Sequence, residues 1–184
     1  MPRDDAFLRS LTVAPYSNEV DTSHWECDEA IDWFLRNAAN DFHGKNLSAV
    51  TCWLADDALA GYVATSMTTV QIDQASQLQR LGLHGLLLQP TIKIKYFPAV
   101  LIGMLGVCRP YQEKGLGAEI FRYAIGQALQ LSEMVGCRFV TVDSEPTDAA
   151  RALYRSSGFE AVEKQDAKRR SVWMFFDLGP RATN

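Results

Sequence analysis

Histidine, paired cysteine and clustered positive charge are all scarce in this chain of 184 residues, and each shortage removes a class of chemistry. Its three histidines, His24, His43 and His84, stand far apart with no HExxH or HxH spacing, so each reads as solvated or capped. The four cysteines, Cys27, Cys52, Cys108 and Cys137, form no CxxC pair. Their spacing supports neither a zinc knuckle nor a disulfide framework, and they read as buried, reduced thiols. No metal site is expected. Lysine and arginine number 18 against 22 aspartates and glutamates, a net charge of −4 that opposes a broad nucleic-acid surface. One local patch, KQDAKRR with Lys164, Lys168, Arg169 and Arg170, reads as a solvated hairpin turn. The longest apolar run, 97–108, is about half of what a bilayer requires. The opening MPRDDAFLRSLTV has no long apolar core of a secretion signal, so a cytoplasmic protein without membrane contact is expected.

What the chain does have is a globular composition, 47% apolar and 22% charged, enough to bury a core without staples. FLRSLTV (7–13) reads as a first strand, and 26–40 as a helix with Ile31, Phe34, Leu35 and Ala38 at helical spacing. Residues 48–55 and 58–70 read as a β-hairpin around the turn Asp56–Asp57. Between 73 and 96 the pattern is ambiguous: QASQLQRLGL suits a short helix and HGLLLQPTIKIKYF a loop. FPAVLIGMLGVC (97–108) then reads as a long central strand, 117–135 as a helix, and 137–144 as a second buried strand. Together they form a β-loop-α-β unit of parallel type. A helix from the N-cap Thr147 to the stop at Gly158 follows, and 159–164 with 171–178 close the chain as an antiparallel pair. There are no repeats or low-complexity linkers, so a single α+β domain over 1–184 is expected.

The segment QEKGLGA (112–118) lies where the long strand hands over to the helix. Such a turn aims several backbone N–H groups at one point, and the helix start adds roughly half a positive charge, so the turn suits a phosphate. Gly115 and Gly117 remove the Cβ atoms that would hold a pyrophosphate away. A P-loop needs Lys followed by Ser or Thr after its last glycine, and none follows Gly117. A dinucleotide fingerprint needs a third glycine where Ile120 stands. The pattern Q/R-x-x-G-x-G/A is met by Gln112, Gly115 and Gly117.

With ALYRSSGF (152–159) downstream, the element order resembles the GNAT family of acyl-CoA-dependent N-acetyltransferases over roughly 7–178, most sharply over 97–159. Tyr154, Gly158 and Phe159 match the family's YxxxGF segment. The resemblance implies the GNAT acyltransferase fold: a three-layer α/β arrangement with a mixed, mostly antiparallel sheet, a splayed central parallel pair and flanking helices. It implies acetyl-CoA as co-substrate, with the backbone of Leu105, Gly106 and Val107 on the pantetheine arm. The N–H groups of Gln112, Glu113, Lys114, Gly115, Leu116, Gly117 and Ala118 would receive the pyrophosphate. Leu105–Val107 read equally well as plain core strand, since ligand contacts there are main-chain.

The implied reaction is attack of an amine on the thioester carbonyl, with CoA leaving as a thiolate that a nearby acid can protonate. By resemblance that acid is Tyr154, which otherwise reads as a half-buried packing residue. Asp143 and Glu145 are weak candidates for a base, and read more readily as solvated loop carboxylates. Freeing a lysine ε-amine at pH 7 costs roughly 4.6 kcal/mol and an α-amine about 1 kcal/mol, so only the first needs a placed base. WECDEAIDWFLRNAA, GYVATSM and FPAVLIGMLGV also resemble GNAT toxins that acetylate the α-amine of aminoacyl-tRNA and pair with a small antitoxin. Against that stand Met104, the acidic balance and Glu113 beside the phosphate site. The acceptors are therefore ordered as a small-molecule or protein amine first and aminoacyl-tRNA second. A non-catalytic CoA-binding scaffold is a third class, and the terminal strands offer edges through which two copies could pair.

Overall fold

The Asp56–Asp57 pair makes the turn its position predicts. Both residues sit at positive φ, 48° and 67°, the backbone of a two-residue hairpin that joins β2 (Ala49–Ala55) to β3 (Ala58–Gln71). The computed structural model describes residues 3–87, 96–144, 154–163 and 171–180. Among them the strands form one seven-stranded mixed sheet in the order β1-β2-β3-β4-β5-β7-β6, completed by β1 (Thr12–Pro15), β4 (Tyr96–Val107), β5 (Phe139–Ser144), β6 (Glu160–Ala161) and β7 (Val172–Asp177). β4 lies at its middle, as its apolar run predicts, and α6 (Leu116–Met134) connects it to β5, its parallel neighbour. β5 and β6 both pair antiparallel with β7.

The contacts divide into two compact units, 1–66 with 102–127 and 67–101 with 128–184, and β3 and β4 run from one into the other. The first unit is packed around Trp25, Phe34, Leu35, Cys52, Leu59 and Tyr62, with the Phe34 and Tyr62 rings stacked 6.2 Å apart. The second is packed around Val70, Ile72, Leu78, Phe97, Phe139 and Phe175. There Arg138, 17% exposed, is held at 2.5 Å by Asp177 and also donates to the Leu81 carbonyl. The ambiguous stretch after β3 contains α4 (Ala75–Arg80) and α5 (His84–Leu87), so QASQLQRLGL does form a short helix.

Two expectations are corrected. FLRSLTV is not one strand: α1 occupies Asp5–Ser10 and β1 begins only at Thr12. The Asp4 carboxylate accepts the Phe7 N–H at 3.0 Å, an N-cap that starts a helix before the β-prone Thr12 and Val13 can extend backwards. The helix expected over 26–40 is two, α2 (Glu29–Asn37) and α3 (Ala39–Gly44), broken at Ala38 where φ reaches −127°. Its first residues are not helical because the Asp32 carboxylate takes the Cys27 N–H at 3.0 Å and holds the chain extended. Of the helix expected over 147–158, 147–153 lie outside the described residues, as do the KQDAKRR patch and 88–95. No helix among the described residues is long and apolar enough to cross a membrane.

Candidate active site

The end of β4 is shaped by its packing. A Cβ on Gly106 would come within 2.5 Å of Ile31 Cγ2, 3.1 Å of Trp25 Cζ2 and 3.2 Å of Tyr62 Cε1. Cys108 donates its N–H to the Ala60 carbonyl of β3 at 2.9 Å, so by strand alternation Leu105 and Val107 direct their polar groups to the opposite edge. Val107 is already engaged there. Its carbonyl accepts Gln112 Nε2 at 3.0 Å, and its N–H reaches the Cys27 thiol. Of the three residues expected on a pantetheine arm, Leu105 shares this edge of β4 with Val107. Burial pushes the Cys27 thiol up from its ordinary range, and that of Cys52 up to about 12.

Beyond β4 a 3-10 turn, Arg109–Tyr111, tightens the chain, and Gln112 spends its N–H on the Arg109 carbonyl at 3.2 Å. Gln112 is therefore a brace: backbone and side chain both close the turn on itself, and neither is offered to a ligand. The backbone then turns left-handed at Glu113, with φ of 62°, and again at Gly115, with φ of 88°. Glu113 carries a Cβ in that region and Gly115 does not, so the second reversal is the cheaper of the two. Among the described residues no carbonyl or side chain takes the N–H groups of Glu113, Lys114, Gly115, Leu116, Gly117 or Ala118. These alternating backbone reversals, followed by the first turn of α6, make a concave row of donors that suits an oxyanion. Leu116, 1% exposed, anchors the row in the core, while a Cβ on Gly117 would meet only Val107 Cγ2, at 3.7 Å.

Lys114 is the one basic residue of QEKGLGA. Its ammonium lies over two rings, 4.8 Å from the Phe7 centroid and 5.5 Å from that of Tyr111. Those rings are themselves stacked at 5.6 Å with an 8° interplanar angle, so α1 is docked on the turn. The docking continues in the Asp4 N–H, which bonds the Lys114 carbonyl at 3.2 Å, and in Arg3, which lies across Gly115. Arg3 pairs with Asp5 at 2.5 Å and Glu119 at 3.5 Å, and Arg122 also holds Glu119. The hydrogen bond from Arg3 holds the Asp5 carboxyl below its ordinary range. Sequence spacing did not find Arg3, Phe7 or Cys27, because nothing in MPRDDAFLRSLTV or ECDEA announces contact with residues so far along the chain.

In the second unit, Tyr154 is half-buried in the helical stretch 154–156, and Gly158 ends it with φ of 88°, as expected. The Ser157 and Phe159 N–H groups both return to the Tyr154 carbonyl at 3.0 Å, and the Tyr154 and Phe159 rings lie 5.8 Å apart. Asp143 is exposed on β5 opposite Trp173, and Glu145 lies outside the described residues. Among the described residues no group of three or more His, Cys, Asp or Glu side chains could hold a metal ion. His24 and His43 serve the backbone: Nε2 of His24 stands 3.2 Å from the Leu59 carbonyl, and Nδ1 of His43 accepts the Val50 N–H at 3.1 Å.

The family model described as acetyltransferase (GNAT) family matches residues 6–159. The chain is 30% identical over 141 residues, 76% of its length and 77% of the other's, to a tRNA-acetylating toxin of Mycobacterium tuberculosis (strain ATCC 25618 / H37Rv). It is similar in fold to the structure of AtaT complexed with acetyl-methionyl-tRNAfMet, with a TM-score of 0.73 at 19% identity over 91% of this chain and 94% of that one. The structure of AtaTR bound with AcCoA is similar to the same degree, with a TM-score of 0.73 at 20% identity over 92% and 94%.

Proposed function

For this chain, which belongs to the acetyltransferase (GNAT) family, we propose acetyl transfer from acetyl-CoA to the α-amine of an aminoacyl-tRNA. The acceptor is the second of the two classes ordered from sequence, and the 30% identical tRNA-acetylating toxin favours it over a small-molecule or protein amine. The observation that carries the donor is the row of uncommitted N–H groups from Glu113 to Ala118 at the end of β4. That row fits a pyrophosphate in chemistry and in number of donors, with Gln112 bracing the turn from behind.

In this reading the Leu105 edge orients the pantetheine arm, supplying the acetyl thioester, and the hydroxyl of Tyr154 gives a proton to the departing CoA sulfur. No placed carboxylate is required, since freeing an α-amine of pKa near 7.8 costs only about 1 kcal/mol at neutral pH. That agrees with the exposed, unspecialised setting of Asp143. The proposal includes a single catalytic domain over 1–184, a cytoplasmic site of action and an antitoxin partner. A non-catalytic scaffold loses its ground, because the donor row and Tyr154 are both intact.

The test is an acetylation assay across aminoacyl-tRNAs, free amino acids, polyamines and peptides. Aminoacyl-tRNA should be preferred, with a rate that falls steeply as salt rises. Equal or faster acetylation of a small amine would restore the first-ordered acceptor.

A further inference from the structure

The donor turn has no side-chain cation to spare. Gln112 bonds Val107, the Lys114 ammonium is committed to the Phe7 and Tyr111 rings, and Glu113 adds a negative charge. A further positive charge arrives from far away in sequence. By docking on Tyr111 and Lys114, α1 lays Arg3 directly against Gly115. Its Cα and Cγ lie 3.6 and 3.5 Å from where a Cβ of residue 115 would stand. Its guanidinium is met by the Asp5 and Glu119 carboxylates, and Glu119 stands in the first turn of α6, whose start favours an anion.

We propose that Arg3 is a phosphate-binding residue of the acetyl-CoA site, brought to the donor turn by α1; this deepens the donor reading above and rests on it. The present partners of Arg3 can be exchanged for a phosphate. Asp5 and Glu119 are exposed carboxylates, 58% and 38%, and exposed ion pairs contribute little. Glu119 also keeps Arg122 as a partner when Arg3 turns to a ligand. Arg3, Asp5, Leu8, Arg9 and Glu119 line one surface pocket, so Arg9 adds a second cation on the same side. The planar fork of a guanidinium matches phosphate oxygens in pairs, and it supplies from the N-terminus the charge that QEKGLGA lacks.

The test is titration of wild type, Arg3→Ala and Arg3→Lys with acetyl-CoA, acetyl-dephospho-CoA and S-acetylpantetheine. Arg3→Ala should weaken acetyl-CoA about tenfold and leave S-acetylpantetheine, which lacks the nucleotide phosphates, unchanged. Arg3→Lys should recover part of the loss. A loss that persists with acetyl-dephospho-CoA assigns Arg3 to the pyrophosphate, and one that vanishes assigns it to the 3′-phosphate; both support the proposal. Unchanged acetyl-CoA affinity in Arg3→Ala overturns it, as does an equal loss with S-acetylpantetheine, which would make Arg3 merely structural. A wild type that binds no acetyl-CoA at all overturns the donor reading, and the role of Arg3 with it.

Discussion

Replacing Gly106 by alanine separates two explanations of a glycine on the strand proposed to hold the cofactor arm. One is that the ligand needs the bare backbone; the other is that the core does. The structure favours the core. The added methyl would stand 2.5 Å from Ile31 Cγ2, when carbon atoms prefer about 3.5–4.0 Å, and behind it lie the Trp25 and Tyr62 rings. Ile31 is half-buried and can give way, but Trp25 is 3% and Tyr62 0% exposed. Tyr62 is further held by its hydroxyl on the Ile31 carbonyl at 2.9 Å. Overpacking of this kind costs about 2 kcal/mol. Gly106 does not occupy positive φ, so alanine also narrows the unfolded ensemble, a gain of roughly 0.5–1 kcal/mol. The clash wins by about 1–1.5 kcal/mol, which lowers Tm by about 3–5 °C in a chain of this size. Thermal melts of Gly106→Ala, Ile31→Ala and the double variant give the assay. The two substitutions should couple favourably by about 1 kcal/mol, because removing Ile31 makes room for the methyl. A Gly106→Ala protein that melts like wild type, or single effects that simply add, would refute the packing account and return the glycine to the ligand.

Tyr154→Phe should retain acetyl-CoA binding and lose about 10²–10⁴ of the acetylation rate, measured at saturating donor; full activity would remove the general-acid role. Gly115→Ala, at φ of 88°, should cost about 1–2 kcal/mol of strain at the donor turn. It should weaken acetyl-CoA while leaving the far-ultraviolet spectrum unchanged, and undiminished affinity would show that the turn does not bind the cofactor. The Cys52 thiol, raised by burial from 9.0 to about 12, keeps its proton in the folded state at a pH where the unfolded chain has lost it. Its contribution is therefore fully present below about pH 9 and is lost as pH rises towards 12. Melts between pH 8 and about 11 should show Tm falling, with a shallower slope in Cys52→Ala.

Local signals carried the elements whose formation depends on neighbouring residues alone. The hairpin at Asp56–Asp57 was legible because two residues at positive φ between β-prone runs leave few other choices. The long strand before the QxxGxG turn was legible from its unbroken apolar run, and the helix end at Gly158 from its glycine. FLRSLTV misled because its period suits either structure, and the deciding contact is a single carboxylate cap from Asp4. The helix over 26–40 misled because Asp32 reaches back to bond Cys27, a competition between side chain and backbone that periodicity does not register.

The site divides along the same line. Sequence alone determined that a Gly-rich turn follows a central strand and opens a helix, because spacing and backbone freedom are properties of adjacent residues. It also determined the family, through two short motifs at a fixed separation. Tertiary structure decided which atoms of that turn are left to bind. It spent Gln112 on Val107, Lys114 on two aromatic rings and the Val107 N–H on Cys27, and it brought Arg3 across Gly115. Each of those pairings joins residues distant in the chain or turns a side chain back on its own loop. Their outcome depends on which partner the packing brings within hydrogen-bonding or van der Waals reach, and a linear pattern does not contain that distance.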